Sequence, residues 1–237
     1  MKEGGGILAK ILRRLKEEVK PGINTFQLEK LARELVLSYG VEPSFLGYDG
    51  YPAVLCTSVN EEIVHGVPSE KKVLNNGDVL KLDMGICFNG FHTDSAVTVI
   101  VENDNDMKKK ELLRVTHEAL EIGIRQAKPG NTTGDIGAAI QEYVKKNGFE
   151  IIQDLVGHGI GEELHEWPQV PNFGKRGGGD ELRVGMVIAI EPMVVTGKKR
   201  TKIGKDGFVY VTSDKGLAAH FEHTVAITEK GPLILTD

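Results

Sequence analysis

Apolar positions recur at helical spacing from the start of the chain. Ile7, Leu8, Ile11, Leu12, Leu15 and Val19 fall on one face, and Lys20-Pro21-Gly22 stops the run. A second helix is predicted from about Thr25 to Tyr39. Leu28, Leu31, Ala32, Leu35 and Val36 form its apolar face, Asn24 or Thr25 caps it and Gly40 ends it. The same phrase then returns. A helix is predicted from about Lys108 to Ala127, ending in Lys128-Pro129-Gly130. Thr132 or Thr133 caps the next, whose apolar face is Ile136, Ala139, Ile140, Tyr143 and Val144, and Gly148 closes it. Pro129 follows Pro21 by 108 residues, and Gly148 follows Gly40 by the same 108.

Between the helix pairs the period changes to that of strands. Val79 to Asp83 alternates, and Asp94 to Val101 is rich in Val, Ile and Thr. Asn89-Gly90 between them is a two-residue hairpin signal, because both residues tolerate positive φ. That turn sets Phe88 opposite Phe91 and Asp83 opposite Ala96, with Asp94 two residues away on the same face. The offset of 108 persists here: Leu74, Gly77, Val79, Leu82 and Asp83 line up with Leu182, Gly185, Val187, Ile190 and Glu191. Asp94 precedes a Ser-Ala-Val-Thr-Val strand, and Glu222, in Phe221-Glu222-His223-Thr224-Val225, precedes a similar one. On this reading Glu222 answers Asp94, and the second hairpin carries an insertion near Lys198–Lys215. Convergent capping chemistry could produce one such coincidence; a shared offset argues for two related halves. Each half is helix–helix–strands, about 1–105 and 106–237, within a single α+β domain spanning 1–237. Two such halves can join their strands in one curved sheet with helices outside.

Composition adds little against this. Among 237 residues, 40% are apolar and 27% charged, which is ordinary for a globular chain, and the net charge of −5 gives no reason to expect DNA binding. No apolar run approaches the roughly 20 residues that span a bilayer, and the N-terminus lacks a signal-peptide pattern, so the cytoplasm is expected and no membrane contact. Cys56 and Cys87 are too few for a disulfide framework and are expected to be free buried thiols.

The acids change the picture. Asp83 and Asp94 would sit about 7–8 Å apart on one strand face, and the duplication brings Glu191 and Glu222 to the same cleft. Singly, each reads as a solvated strand-end acid. Four together cannot all be ionised without cations between them. His158, between glycines in Val156-Gly157-His158-Gly159-Ile160-Gly161, offers a further ligand, although a lone histidine in such a loop is commonly a turn residue. Oxygen-rich coordination with one imidazole suits Mn, Fe or Co, and Zn remains compatible. His65 and His165 lie in structured contexts where either could bond a carbonyl or oxyanion, or be a satisfied loop residue. His92, His117, His220 and His223 read as structural or supporting, with His223 placed to orient Glu222. The glycines at 4–6 and 177–179 lack the context of phosphate loops, and no G-x-S-x-G elbow occurs.

Taken together these motifs resemble a known family. Leu82-Asp83-x-Gly85, His92-Thr93-Asp94-Ser95, Gly157-His158-Gly159-Ile160-Gly161, Ile190-Glu191-Pro192-Met193 and Phe221-Glu222-His223-Thr224 look like the five metal-ligand motifs of the methionine aminopeptidases, in order and across the whole chain. The resemblance implies the pita-bread fold. The short interval from His158 to Glu191 and the lack of a long N-terminal extension resemble type I. It further implies two divalent ions, with Asp83 on one, His158 and Glu191 on the other, and Asp94 and Glu222 bridging. A water or hydroxide between the ions would attack the first peptide bond, with Glu191 carrying protons. By resemblance His65 contacts the scissile amide and His165 steadies the tetrahedral intermediate. Phe45, Tyr48, Tyr51, Cys56, Leu164 and Phe208 would form the methionine pocket.

The implied substrate is the N-terminus of a nascent polypeptide with a small second residue. The basic run Lys198, Lys199, Arg200, Lys202 and Lys205 is either a solvated loop or a contact for ribosomal RNA. A monomer is expected. The rivals are an Xaa-Pro peptidase on the same fold, a non-catalytic binding protein on that fold, and an acid-rich surface without metal.

Overall fold

The computed structural model describes residues 1–102 and 105–237. α1 (Lys2–Glu17) buries Leu8, Ile11, Leu12 and Leu15. It starts earlier than its apolar face suggests and takes in the three glycines at positions 4–6. Two of them are closely packed: a Cβ on Gly5 would meet the Leu235 carbonyl oxygen at 2.1 Å and one on Gly4 would meet Phe88 Cβ at 3.1 Å. α2 (Thr25–Tyr39) begins with a capping box in which the Asn24 side chain accepts from the Gln27 N–H at 3.0 Å and Gln27 Oε1 accepts from the Asn24 N–H at 2.9 Å. α3 (Met107–Gln126) follows the first hairpin. α4 (Thr133–Lys146) opens with the matching box between Thr132 and Asp135.

The strands form a curled antiparallel sheet in the order Glu42–Pro43, Val79–Phe88, Phe91–Ile100, Glu222–Thr228, Val187–Ile190, Gly157–Gly159 and Glu166–Val170. Cys56–Val59 also pairs with Val79–Phe88, and Gly231–Ile234 with Glu222–Thr228. The Asn-Gly turn sets the register as expected: Asn89 and Gly90 have φ of 52° and 80°, Phe88 faces Phe91 and Asp83 faces Ala96. Alternation then separates two faces. Leu80, Leu82, Met84, Ile86 and Val99 pack with α1 and α2 in one core, while Ile188, Ile190, Val225 and Ile227 pack with α3 and α4 in another. Lys81, Asp83, Asp94 and Thr98 lie on the opposite face.

The duplication repeats hydrogen bond for hydrogen bond. Gly22 N–H donates to Leu74 O at 2.8 Å, and Gly130 N–H to Leu182 O at 3.0 Å; Gly77 N–H donates to Val101 O, and Gly185 N–H to Ile227 O, both at 2.9 Å. The isolated bridges Asn24–Val73 and Thr132–Glu181 are likewise 108 apart. The last pair of bonds corrects one expectation. Val101 corresponds to Ile227, so Ala96 corresponds to Glu222, and Asp94 corresponds to His220 rather than to Glu222. Strand pairings agree: Asp94 faces Gly85, and His220 faces Met193, 108 residues beyond Gly85. Asp83 and Glu191 remain equivalent, whereas Asp94 and Glu222 meet without being so.

The expected insertion is itself ordered. Thr201–Ile203 and Tyr210–Thr212 form a hairpin that pairs with Glu62–Val64. Met193–Val195 pairs with Ala218–His220 and Glu150–Ile151 in a third small sheet. Cys56 and Cys87 are both free. Cys56 is buried as expected, but Cys87 is only half-buried, near the turn of the first hairpin.

Candidate metal centre and substrate cavity

Four adjacent strands build the floor of the site. Cys56, Asp83, Ala96 and Glu222 lie on one row across the sheet, since each is register-paired with the next. The row is fastened where the halves meet. The Asp94 N–H donates to Thr224 Oγ1 at 2.9 Å, the Thr224 hydroxyl donates to Asp94 O at 2.8 Å, and Ser95 Oγ donates to Glu222 O at 2.8 Å. Asn172 donates to the Glu191 carbonyl at 3.0 Å. The backbone under Asp94, Glu191 and Glu222 is thus fixed by side chains from neighbouring segments.

Asp83, Asp94 and Glu222 are 7%, 4% and 2% exposed, and Glu191 is the most open of the four at 13%. Burial pushes Asp94 up to about 7, against the Ser95 N–H that favours its ionised form. Asp83 rises well above the carboxylate range through burial and then repulsion from Asp94. Glu191 and Glu222 rise in the same way, through burial first and then the charges of the other acids. Among the described residues, Asp83 Oδ1 and Asp94 Oδ1 have no hydrogen-bond partner. Buried carboxylate oxygens without partners are costly unless a cation takes that place.

His158 completes the cluster. Its Nδ1 donates to its neighbour's carbonyl, Gly159 O, at 2.8 Å. A carbonyl only accepts, so this bond fixes the tautomer and leaves a lone pair on Nε2. Burial pushes the ring down to about 4, so it stays neutral. Nε2 lies 3.8 Å from Glu191 Oε1. Asp94, His158 and Glu222 can each bring one ligand atom within 4.8 Å of the others. Donor chemistry, neutral imidazole and unpartnered oxygens all fit a divalent cation.

A cavity of about 350 Å³ opens from these groups, lined by Phe45, Tyr48, Tyr51, Cys56, Leu164 and Phe208 on its apolar side. The structure thus brings every sequence-predicted site residue to one cavity, His65 and His165 included. Glycine at 85 makes room for its wall, since a Cβ there would meet Phe45 Cε1 and Ser44 Cβ at 2.9 Å. Tyr51 is held by its hydroxyl, which reaches Leu55 O at 3.2 Å and Gly66 O at 3.1 Å. His165 Nδ1 bonds Tyr48 Oη at 2.7 Å, and its ring stands edge-on to His158 with centroids 4.3 Å apart. His65 has φ of 57°, a conformation that costs energy in a non-glycine residue and that gathers at functional sites. Its pKa is lowered by desolvation first and then by His165.

Three lining residues escaped the sequence reading: Asp49, Gly207 and Tyr210. Asp49 adjoins Tyr48 in a positive-φ turn, and the other two sit on the hairpin that read as a charged insertion. His223 does not orient Glu222. Strand alternation turns its ring to the helix side, where Nδ1 lies 2.8 Å from Thr236 Oγ1. His220 lies closer to Glu191 than His158 does, with Nε2 3.5 Å from Glu191 Oε2 against 3.8 Å from His158 Nε2 to Glu191 Oε1.

A duplicated sheet curling around buried acids, with helices covering its other face, is the pita-bread architecture. The chain belongs to metallopeptidase family M24, whose profile matches residues 1–229. The methionine aminopeptidase of Clostridium perfringens is 48% identical over 236 residues, covering 100% of this chain and 94% of that protein. That of Escherichia coli is 38% identical over 237 residues, covering 100% and 89%. The crystal structure of the Thermotoga maritima methionine aminopeptidase matches with a TM-score of 0.98 and 47% identity, covering 100% of this chain and 95% of that one. The prolidase of Pyrococcus furiosus matches with a TM-score of 0.76 and 26% identity, and the match spans 62% of its length.

Proposed function

We propose that this protein is a type I methionyl aminopeptidase, a hydrolase that removes the N-terminal methionine from nascent polypeptides, preferably when the second residue is small. One observation carries the reading: the buried acids and His158 adjoin an apolar cavity wide enough for an unbranched thioether side chain. Asp83, Asp94, His158, Glu191 and Glu222 would hold two divalent ions, Co, Mn, Fe or Zn. Asp83 would serve one ion, His158 with Glu191 the other, and Asp94 and Glu222 would serve both. When bound, the ions lower the pKa of water and polarise the scissile carbonyl.

The remaining steps belong to the chain. Phe45, Tyr48, Tyr51, Cys56, Leu164 and Phe208 receive the methionine side chain and exclude water. His165, tethered by Tyr48, presents Nε2 to the developing oxyanion. His65 contacts the amide on the other side, kept neutral by its surroundings. Glu191, the most open of the four acids, takes a proton and returns it to the leaving amine. Residues 1–237 would act as one catalytic unit and as a monomer in the cytoplasm. The exposed Lys198, Lys199, Arg200, Lys202 and Lys205 on the inserted segment would face ribosomal RNA. No DNA or membrane role is proposed.

Hydrolysis of Met-Ala-Ser by protein loaded separately with Mn, Fe, Co or Zn tests the reading, with an Ala-Pro peptide as competitor. Release of methionine and no cleavage of Ala-Pro is expected. His158→Ala should lower kcat/KM at least about a hundredfold, as loss of a ligand exceeds loss of its supports. Cleavage of Ala-Pro in preference to Met-Ala-Ser would hand the assignment to the Xaa-Pro peptidases.

A further inference from the structure

The register gives His220 a place that the metal reading leaves unused. It stands in the second half where Asp94 stands in the first. Its main chain is held on both sides. The His220 N–H donates to Thr98 Oγ1 at 2.9 Å, and the Thr98 hydroxyl donates to His220 O at 2.5 Å. Two residues earlier, Lys81 Nζ donates to Ala218 O at 3.2 Å. With the strand fixed, its geometry sets the direction of the imidazole.

That ring is 1% exposed, and neither of its nitrogens has a hydrogen-bond partner among the described residues. A buried imidazole without a bond is unfavourable. Nε2 lies 3.5 Å from Glu191 Oε2, while Glu191 Oε1 lies 3.8 Å from His158 Nε2. The Glu191 carboxylate is therefore flanked by two imidazoles, one at each oxygen. His158 spends its proton on Gly159, so only His220 has an N–H to give on this side.

We propose that His220 is a positioning residue whose Nε2–H donates to Glu191 Oε2 and fixes the carboxylate so that Oε1 faces His158 and the cavity. The role rests on Glu191 being a metal ligand as read above. It explains why the counterpart of an acidic position carries an imidazole. A fifth acid here would add charge to a crowded cluster, whereas an N–H donor removes freedom from one of its members.

Calorimetric titration of the apo-protein with Mn²⁺ alone tests this, using wild type, His220→Leu and His220→Gln. Leucine keeps the bulk and removes the donor; glutamine keeps an N–H at similar reach. His220→Leu should weaken Mn²⁺ binding about tenfold to a hundredfold and lower kcat more than it changes KM, and His220→Gln should recover most of both. Wild-type Mn²⁺ affinity in His220→Leu would overturn the proposal. So would equal losses in both variants when their apo melting temperatures match wild type. Should His220→Leu not fold, His220→Asn replaces it: its amide falls short of Glu191, and equal affinity in the Asn and Gln variants would overturn the role. Failure of the wild type to cleave Met-Ala-Ser would strike the aminopeptidase reading alone, because the Mn²⁺ titration judges His220 without turnover.

Discussion

Asp94 and its three acidic neighbours make the stability of this protein depend on pH in a direction set by their burial. Asp94 is pushed up to about 7, and Asp83, Glu191 and Glu222 well above the usual carboxylate range. A raised folded pKa gives stability that is full below the unfolded value near 4 and is lost as pH rises through the folded value. His158 and His220, pushed down to about 4 and 3, work oppositely. Their contribution grows with pH up to the unfolded value near 6.5 and is flat above it. Lys81, lowered to about 7 by burial, also favours the fold as pH rises above that value. A divalent cation cancels the cost of ionising the acids. The gain in melting temperature on adding Mn²⁺ should therefore widen steadily from pH 6.5 to 8. Parallel apo and Mn²⁺ curves in differential scanning fluorimetry would show that the acids do not share one cation site. At this scale the acids and His158 were legible because the chemistry restricts which residue types can serve. Asp49 and Tyr210 were not, since only the course of the chain brings them to the cavity.

Helices and turns were legible to within a few residues because each carries its own boundary chemistry. Asn24 and Thr132 both cap with a reciprocal box, and the two lie over separate apolar cores. Asn24→Ala and Thr132→Ala should each cost about 1 kcal/mol, and the double variant should lose the sum within about 0.5 kcal/mol. Urea unfolding checks this; strong non-additivity would mean the two cores do not respond independently. The start of α1 was harder to see. Glycine is a poor helix former, and only the approach of Phe88 to Gly4 and of Leu235 to Gly5 explains two of the three in its first turns. The hairpin from Thr201 to Thr212 was hidden for a similar reason, as its charged sequence reads as loop until Glu62–Val64 supplies a third strand.

Across the whole molecule, the halves are joined by bonds no local pattern foretells. Lys81 is buried on the first hairpin, yet its ammonium group reaches Asn60 O at 2.9 Å and, in the other half, Ala218 O at 3.2 Å. A lysine on a strand of alternating pattern reads as a solvent-facing residue; here it spans the junction beneath the site. Charge is also distributed unevenly. The net charge is −5, but Lys198, Lys199, Arg200, Lys202 and Lys205 are all exposed on one segment. Reversing these five to Glu should weaken co-sedimentation with ribosomes at least about tenfold near 0.1 M salt and flatten its salt dependence. Unchanged binding would remove the segment from the contact.

The sequence alone determined the helices, the hairpin register and the duplicated plan, because propensity, capping and period act between residues close in the chain. It also named the acids and His158, because four carboxylates and an imidazole in recurring contexts admit few kinds of chemistry. Tertiary structure decided the rest. It set which positions of the two halves are equivalent, moving the counterpart of Asp94 from Glu222 to His220. It turned His223 away from the acids and His220 toward them, and it drew a charged insertion into the cavity wall. Those outcomes depend on pairing between strands far apart in sequence, where a shift of two residues preserves the alternating pattern and changes every neighbour.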